Sequence, residues 1–163
     1  MSQPGSLATT PRKQLKVTMI LFTAIVTGIL LLMLAALLIN QSSGPLQPQF
    51  NSYKTVLTGA TALVSLVGLL LGRRIFHRGI TAAKNSLKPL AGKLNAHRSS
   101  LIKCLAIVET GVVLNIVLFL FTGNFVFLVF GAMLLGFILS IAPIPRRVVT
   151  QLELDGMQQK ELE

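Results

Sequence analysis

The sequence predicts an all-α fold: a bundle of four transmembrane helices in two antiparallel hairpins, with a basic cytoplasmic central segment. Three observations predict it. Four apolar runs, 17–39, 55–72, 101–121 and 125–142, are each 18–23 residues long, and a hydrocarbon core of about 30 Å takes roughly 20 helical residues to cross. Between Met1 and Leu152 the only acidic side chain is Glu109. Fourteen of the fifteen lysines and arginines fall on one side of a chain that crosses four times. Positive-inside asymmetry then puts both termini and the central loop in the cytoplasm, with the chain in the inner membrane. Helices are required because backbone groups in lipid must be paired within the chain, and half-buried strands would read as alternation.

The 163 residues make one membrane domain. Residues 1–11 are rich in Ser, Pro, Gly and Thr and are expected to be disordered. Helix one is predicted over 12–40, after Arg12 and Lys13. Its apolar stretch is too long for a cleaved signal peptide and no A-x-A site follows, so it is expected to be retained. Thr23 and Thr27, four apart, share one of its faces. Gly44, Pro45 and Pro48 interrupt the chain, and Tyr53 falls at the outer interface, where amphipathic rings are favoured.

Helix two is predicted over 55–76. Thr58, Thr61, Ser65, Gly68 and Gly72 recur at spacings of three and four and share an arc of about 80°. Such a stripe of small residues lets another backbone approach, and Gly68 with Gly72 matches GxxxG. Packing inside the bundle, homodimerisation and lining of a polar pathway are the three uses open to it. The following segment holds Arg73, Arg74, Arg78, Lys84, Lys88, Lys93 and Arg98, with Ile80, Ala83, Leu87, Leu90 and Leu94 at helical spacing and Pro89 as a breaker. It reads as a cytoplasmic extension of helices two and three, with an interfacial amphipathic helix as the alternative. Its cations fit anionic headgroups at the cytoplasmic face better than a protein partner.

Helices three and four, 96–121 and 125–142, are joined by Thr122, Gly123 and Asn124, a tight turn. Pro143 and Pro145 end helix four, and Arg146 and Arg147 hold that end at the cytoplasmic face. The cytoplasmic tail, 143–163, carries four of the five acids, with Asp155 and Gln158 spaced to cap a short helix.

A carboxylate inside a membrane helix suggests function by default. Glu109 stands about 12 Å above Leu101 on helix three. Ser65, Thr23 and Thr27 lie at similar depth, so these four are the candidate cation or proton site. The competing reading is a buried polar node that fixes helix packing. Arg73, Arg74 and Lys103 lie below as counter-ions, whereas Asn115 is on another face. Enzyme chemistry is not expected. His77 and His97 are isolated, Cys104 is alone, and no nucleotide or metal motif is present. No catalytic residue, metal or cofactor is therefore assigned. The net charge of +10 lacks the stacking aromatics of a nucleic-acid surface, so no nucleic-acid partner is expected.

Residues 106–124, from Ala106 through Glu109 to Thr122, Gly123 and Asn124, resemble the third helix of a family of small four-helix inner-membrane proteins common in the Bacteroidota. That family carries an Ala-Leu-Leu-Glu-Gly-Pro-like motif ending in Leu-Thr-Gly-Asn. Here Thr110 and Gly111 replace Gly-Pro, leaving the family's kink without its proline. The close of the chain from Pro143 to Leu154 is similar as well. The resemblance covers 96–154 and implies fold and location, not activity. Glu109 and Thr110 also resemble the ion-carrying Pro-Glu-Thr segment of rotary ATPase proteolipid subunits, without their glycine-rich first helix. Two functions follow as expectations: a non-enzymatic accessory or scaffold protein, with a homo-oligomer or another membrane protein as partner, or a proton- or cation-coupled component using Glu109.

Overall fold

A computed structural model of the chain describes residues 11–84 and 90–152. The expectations for residues 1–10, for Leu87, Lys88 and Pro89, and for the acidic tail with Asp155 and Gln158 lie outside those residues. Every regular element described is helical: α1 (Pro11–Ser43), a 3₁₀ turn (Pro48–Tyr53), α2 (Lys54–Lys84), α3 (Leu90–Thr122), α4 (Phe125–Ser140) and α5 (Pro145–Leu152). The first three α-helices outrun their apolar stretches because the flanking basic residues continue the helix. All three are long and apolar enough to cross a membrane, the signature of a multi-pass membrane protein. The outer surface agrees, with Ile20 and Val56 each 70% exposed.

α4 is shorter than the expected 125–142. It has 16 residues, or about 24 Å of helix, because the chain tightens at Ile141, whose N–H bonds Ile138 O at 3.1 Å, ahead of Pro143. Its start matches the turn read from the sequence: Asn124 Oδ1 accepts from Val126 N–H at 3.2 Å, and Gly123 has φ of +68°. The helix then resumes as α5, which the sequence reading missed. Pro145 occupies its first position, where a missing N–H costs nothing.

α3 is the centre of the molecule, with α1, α2 and α4 packed around it. Leu101, Cys104, Leu105, Val108, Val112, Asn115, Ile116 and Phe119 are all at most 1% exposed. The expected pair of hairpins needs correction. α3 and α4 form one, and α2 runs antiparallel against α3, but α1 scarcely touches α2. The reason lies at the C-terminal end of α3, where the last carbonyls have no helical donors. Leu46 N–H bonds Leu120 O at 3.0 Å and Gln47 N–H bonds Phe121 O at 3.1 Å. Asn40 Nδ2 donates to Phe119 O at 3.2 Å. The connection from α1 thus crosses over the end of α3 and delivers α2 elsewhere on it. α1 lies parallel to α3, burying Leu15, Thr18, Phe22, Ile29 and Ala36.

The basic ends have their own small core. Leu15 of α1, Ala83 of α2, Leu90 and Leu94 of α3 and Val148 of α5 are buried together. α2 up to Lys84 and α3 from Leu90 therefore stay helical and packed together beyond their apolar stretches, in the sense of the expected extension. At their crossing Gly79 meets Ser100 so closely that a Cβ on Gly79 would clash with the Ser100 hydroxyl and Cβ.

Candidate functional site

The polar centre of the bundle is Asn115, which is completely buried on α3. Its Nδ2 donates to Ser65 Oγ on α2 at 3.0 Å and to Gly111 O, one turn back on its own helix, at 2.8 Å. Oδ1 is buried with no hydrogen-bond partner among the described residues. α4 closes the site through Gly131: a methyl there would lie 3.7 Å from Asn115 Cβ. Three helices thus converge on one amide because each presents a small or compact residue. In an apolar interior the alternative to this bond is an unmet donor, so the pair favours one rotation of α2 against α3.

The small-residue stripe on α2 divides into parts with different surroundings. Thr61 and Ser65 are buried, and Thr61 Oγ1 returns its proton to Leu57 O at 2.6 Å. Gly72 is covered by α3: a Cβ would be 2.9 Å from Val108 Cγ2 and 3.3 Å from Cys104 Sγ. Thr58 is half-buried. Gly68 is different, since a Cβ there would meet nothing within 4 Å. It lines an outward-facing cavity of about 380 Å³ between α2 and α3, with Ser65, Leu71, Ile107, Gly111 and Leu114. A second cavity, about 200 Å³, lies between α2 and α4 beside Ala62, Leu66 and Met133.

Glu109, Ser65, Thr23 and Thr27 are not drawn into one layer of oxygens. Thr23 and Thr27 are exposed on α1, away from the seam of Phe22, Ile29 and Ala36 that faces α3. Ser65 is engaged by Asn115. Glu109 is half-buried, at the margin of the buried arc of α3, and is the only acid among the described residues. Ser65 pairs with Asn115, six residues further along α3 than Glu109, or about 9 Å of helix, so the expected common layer fails in depth as well as in rotation about each axis.

Besides Thr18 and Thr122, two buried polar residues among those described lie outside the expected site and stripe, Asn115 and His97. Asn115 does not share a face with Glu109, and His97 stands isolated in the sequence of the cytoplasmic segment, so neither is expected at the site. His97 is 3% exposed, with its ring edge-on to Phe76 at 5.9 Å between centroids. The signal was present: Leu94, His97, Leu101, Cys104, Val108, Asn115 and Phe119 continue a single stripe of helical spacing. Chemically, the amide–hydroxyl pair can lock helices and hold neutral hydrogen bonds, but it carries no titrating proton. No protein-family model, curated protein or solved structure matches the chain.

Proposed function

We propose that the chain is a four-span inner-membrane protein with both termini in the cytoplasm, and that it acts without chemistry of its own, as an accessory or scaffold subunit. The observation that carries the role is the hydrogen bond between Asn115 and Ser65. The most buried polar side chain among the described residues is spent on joining two helices, as a packing element requires. The topology is supported by the second core, since Leu15, Ala83, Leu90, Leu94 and Val148 bring the start of α1, the α2–α3 hairpin and α5 to one basic end. Four crossings are the count that returns α5 to the side from which α1 starts. α4, at 16 residues, then crosses where a bilayer thins slightly around it, or with its flanking turns included. The resemblance of residues 96–154 to small four-helix inner-membrane proteins is consistent with this reading.

A second reading uses Glu109 as a reversible proton or cation site. It is favoured by the half-buried carboxylate, which has no hydrogen bond or ion pair among the described residues. The two separate by carbodiimide labelling of the full chain in liposomes, read at Glu109 by mass spectrometry. A scaffold gives labelling that sodium does not change, and its Glu109→Gln variant assembles as the parent does. A cation-coupled protein gives labelling that sodium suppresses, and a proton-coupled one gives a proton flux across the liposome membrane that Glu109→Gln abolishes. A reporter fused after Glu163 tests the topology, which is wrong if the reporter is active only outside the cytoplasm.

A further inference from the structure

We propose that the groove between α2 and α3 is a binding site for one anionic phospholipid, with an acyl chain lying over Gly68 and the headgroup phosphate held by Arg74, Arg78 and Lys103. The inference rests on the membrane reading and adds to it a discrete site. The groove is apolar and open on its outer side, with a volume of about 380 Å³. Its polar lining groups are already spent: Ser65 on Asn115, and Thr110 Oγ1 on Ala106 O at 2.8 Å.

Both walls of the groove run into cations at the same end. On α2, Val67 and Leu71 line the groove, and Arg74 and Arg78 continue that row at spacings of three and four. On α3, Leu114, Thr110 and Ile107 line it, and Lys103 continues the row four residues on. The helices are in register, since Gly72 abuts Cys104 and Val108, and Gly79 abuts Ser100. Arg74 and Lys103 are therefore level to within about one turn, some 5 Å beyond the last apolar lining residues. Arg74, Arg78 and Lys103 are all exposed. Glu109, the only acid among the described residues, is about 100° or more around α3 from every member of the row. Three cations at the foot of an apolar groove, with no carboxylate beside them among the described residues, match a phosphate above an acyl chain in charge and in order of depth.

A second copy of the chain fits less well. Only Gly68 of the GxxxG pair is open, because α3 covers Gly72. A two-fold contact through this face would also set the cations of one copy beside those of the other.

The test is native mass spectrometry of the full chain released from bilayers of phosphatidylcholine and phosphatidylglycerol. The wild type should retain one phosphatidylglycerol in preference to phosphatidylcholine. Arg74→Gln with Lys103→Gln should weaken that retention about thirtyfold, on the order of fivefold for each cation. Gly68→Leu starts from a Cβ position with nothing within 4 Å and extends into the groove, and should abolish retention with every cation in place. Arg73→Gln, on another face of α2, should change nothing. The proposal is overturned if Arg73→Gln weakens retention as much as Arg74→Gln, which marks diffuse attraction. It is equally overturned if Gly68→Leu leaves retention intact, or if Gly68→Leu removes a dimer instead of a lipid. Alkaline carbonate washing separates this from the parent reading. A chain stripped from membranes refutes the membrane assignment, whereas one that stays but shows no lipid preference refutes the site alone.

Discussion

Gly79→Ala should be the most damaging single-methyl change in the α2–α3 hairpin. The added Cβ would clash with both Ser100 Oγ and Ser100 Cβ, well inside van der Waals contact, whereas Ser100 Cα lies 3.6 Å away, at ordinary contact distance. Rotating the serine moves its hydroxyl but not its Cβ, so the helices must part by about 1 Å. A gap of that size forfeits a quarter to a half of each contact's attraction. It opens beside Phe76, Ala83 and His97, all buried at this crossing. Overpacking of this kind costs about 1–3 kcal/mol, and the upper half of that range is expected here. The serine's own bond, Oγ to Ala96 O at 3.0 Å, is local and contributes little to the pairing. Ser100→Gly removes both offending atoms, so Gly79→Ala with Ser100→Gly should recover most of the loss. A coupling of about 2 kcal/mol would then appear in the double-mutant cycle. The assay is built in: Cys104 is the only cysteine and is 0% exposed, so a thiol-reactive dye reports unfolding of the purified protein in detergent. If Gly79→Ala melts with the wild type, or Ser100→Gly fails to rescue it, the close crossing of α2 and α3 is refuted.

Two further substitutions probe the other joints. Asn115→Ala breaks the bond to Ser65 and leaves a gap facing Gly131, and should cost about 1–3 kcal/mol by the same dye assay. Ser65→Ala should cost less than Asn115→Ala, because Asn115 Nδ2 keeps Gly111 O; the reverse order would show that the amide is not the organising group. Gly123→Ala puts an L side chain at φ of +68° with its Cβ 3.2 Å from Pro45 Cγ, and should cost about 1–2 kcal/mol. Gly123→Asn should cost less, since asparagine tolerates that conformation, and equal losses would point to crowding by Pro45 as the cause.

Helices, their approximate ends and the α3–α4 turn follow from local rules, and they were legible residue by residue. Long apolar runs must satisfy their own backbone, and Thr122, Gly123 and Asn124 supply turn and cap chemistry within a few positions. The expected ends of helices two and three, at residues 76 and 96, fall short: α2 runs on to Lys84 and α3 begins at Leu90, because polar and basic residues continue a helix after the hydrophobic signal has stopped. The stripe on α2 was located correctly as a set of small residues. Its uses were not legible, since Gly72 touches α3, Gly68 touches nothing and Gly79 was not part of it. Ser65 was readable as a polar position in the bundle, but its partner Asn115 was not.

The sequence alone determined that the chain is helical, that it has spans long and apolar enough for a membrane, and that its cations gather at one end of those spans. These are properties of single segments: hydropathy, length and breaker residues act within one helix. Only the tertiary structure decided that α3 is the centre, that α1 lies apart from α2, and that Asn115 with Ser65, instead of Glu109 with Thr23 and Thr27, forms the polar centre of the bundle. These depend on the rotation and pairing of helices. α4 is apolar nearly all round, so patterning cannot say which side faces a neighbour. The choice falls to shape, to glycines that admit a neighbour, and to a few hydrogen bonds, such as those by which residues 40–47 cap the end of α3.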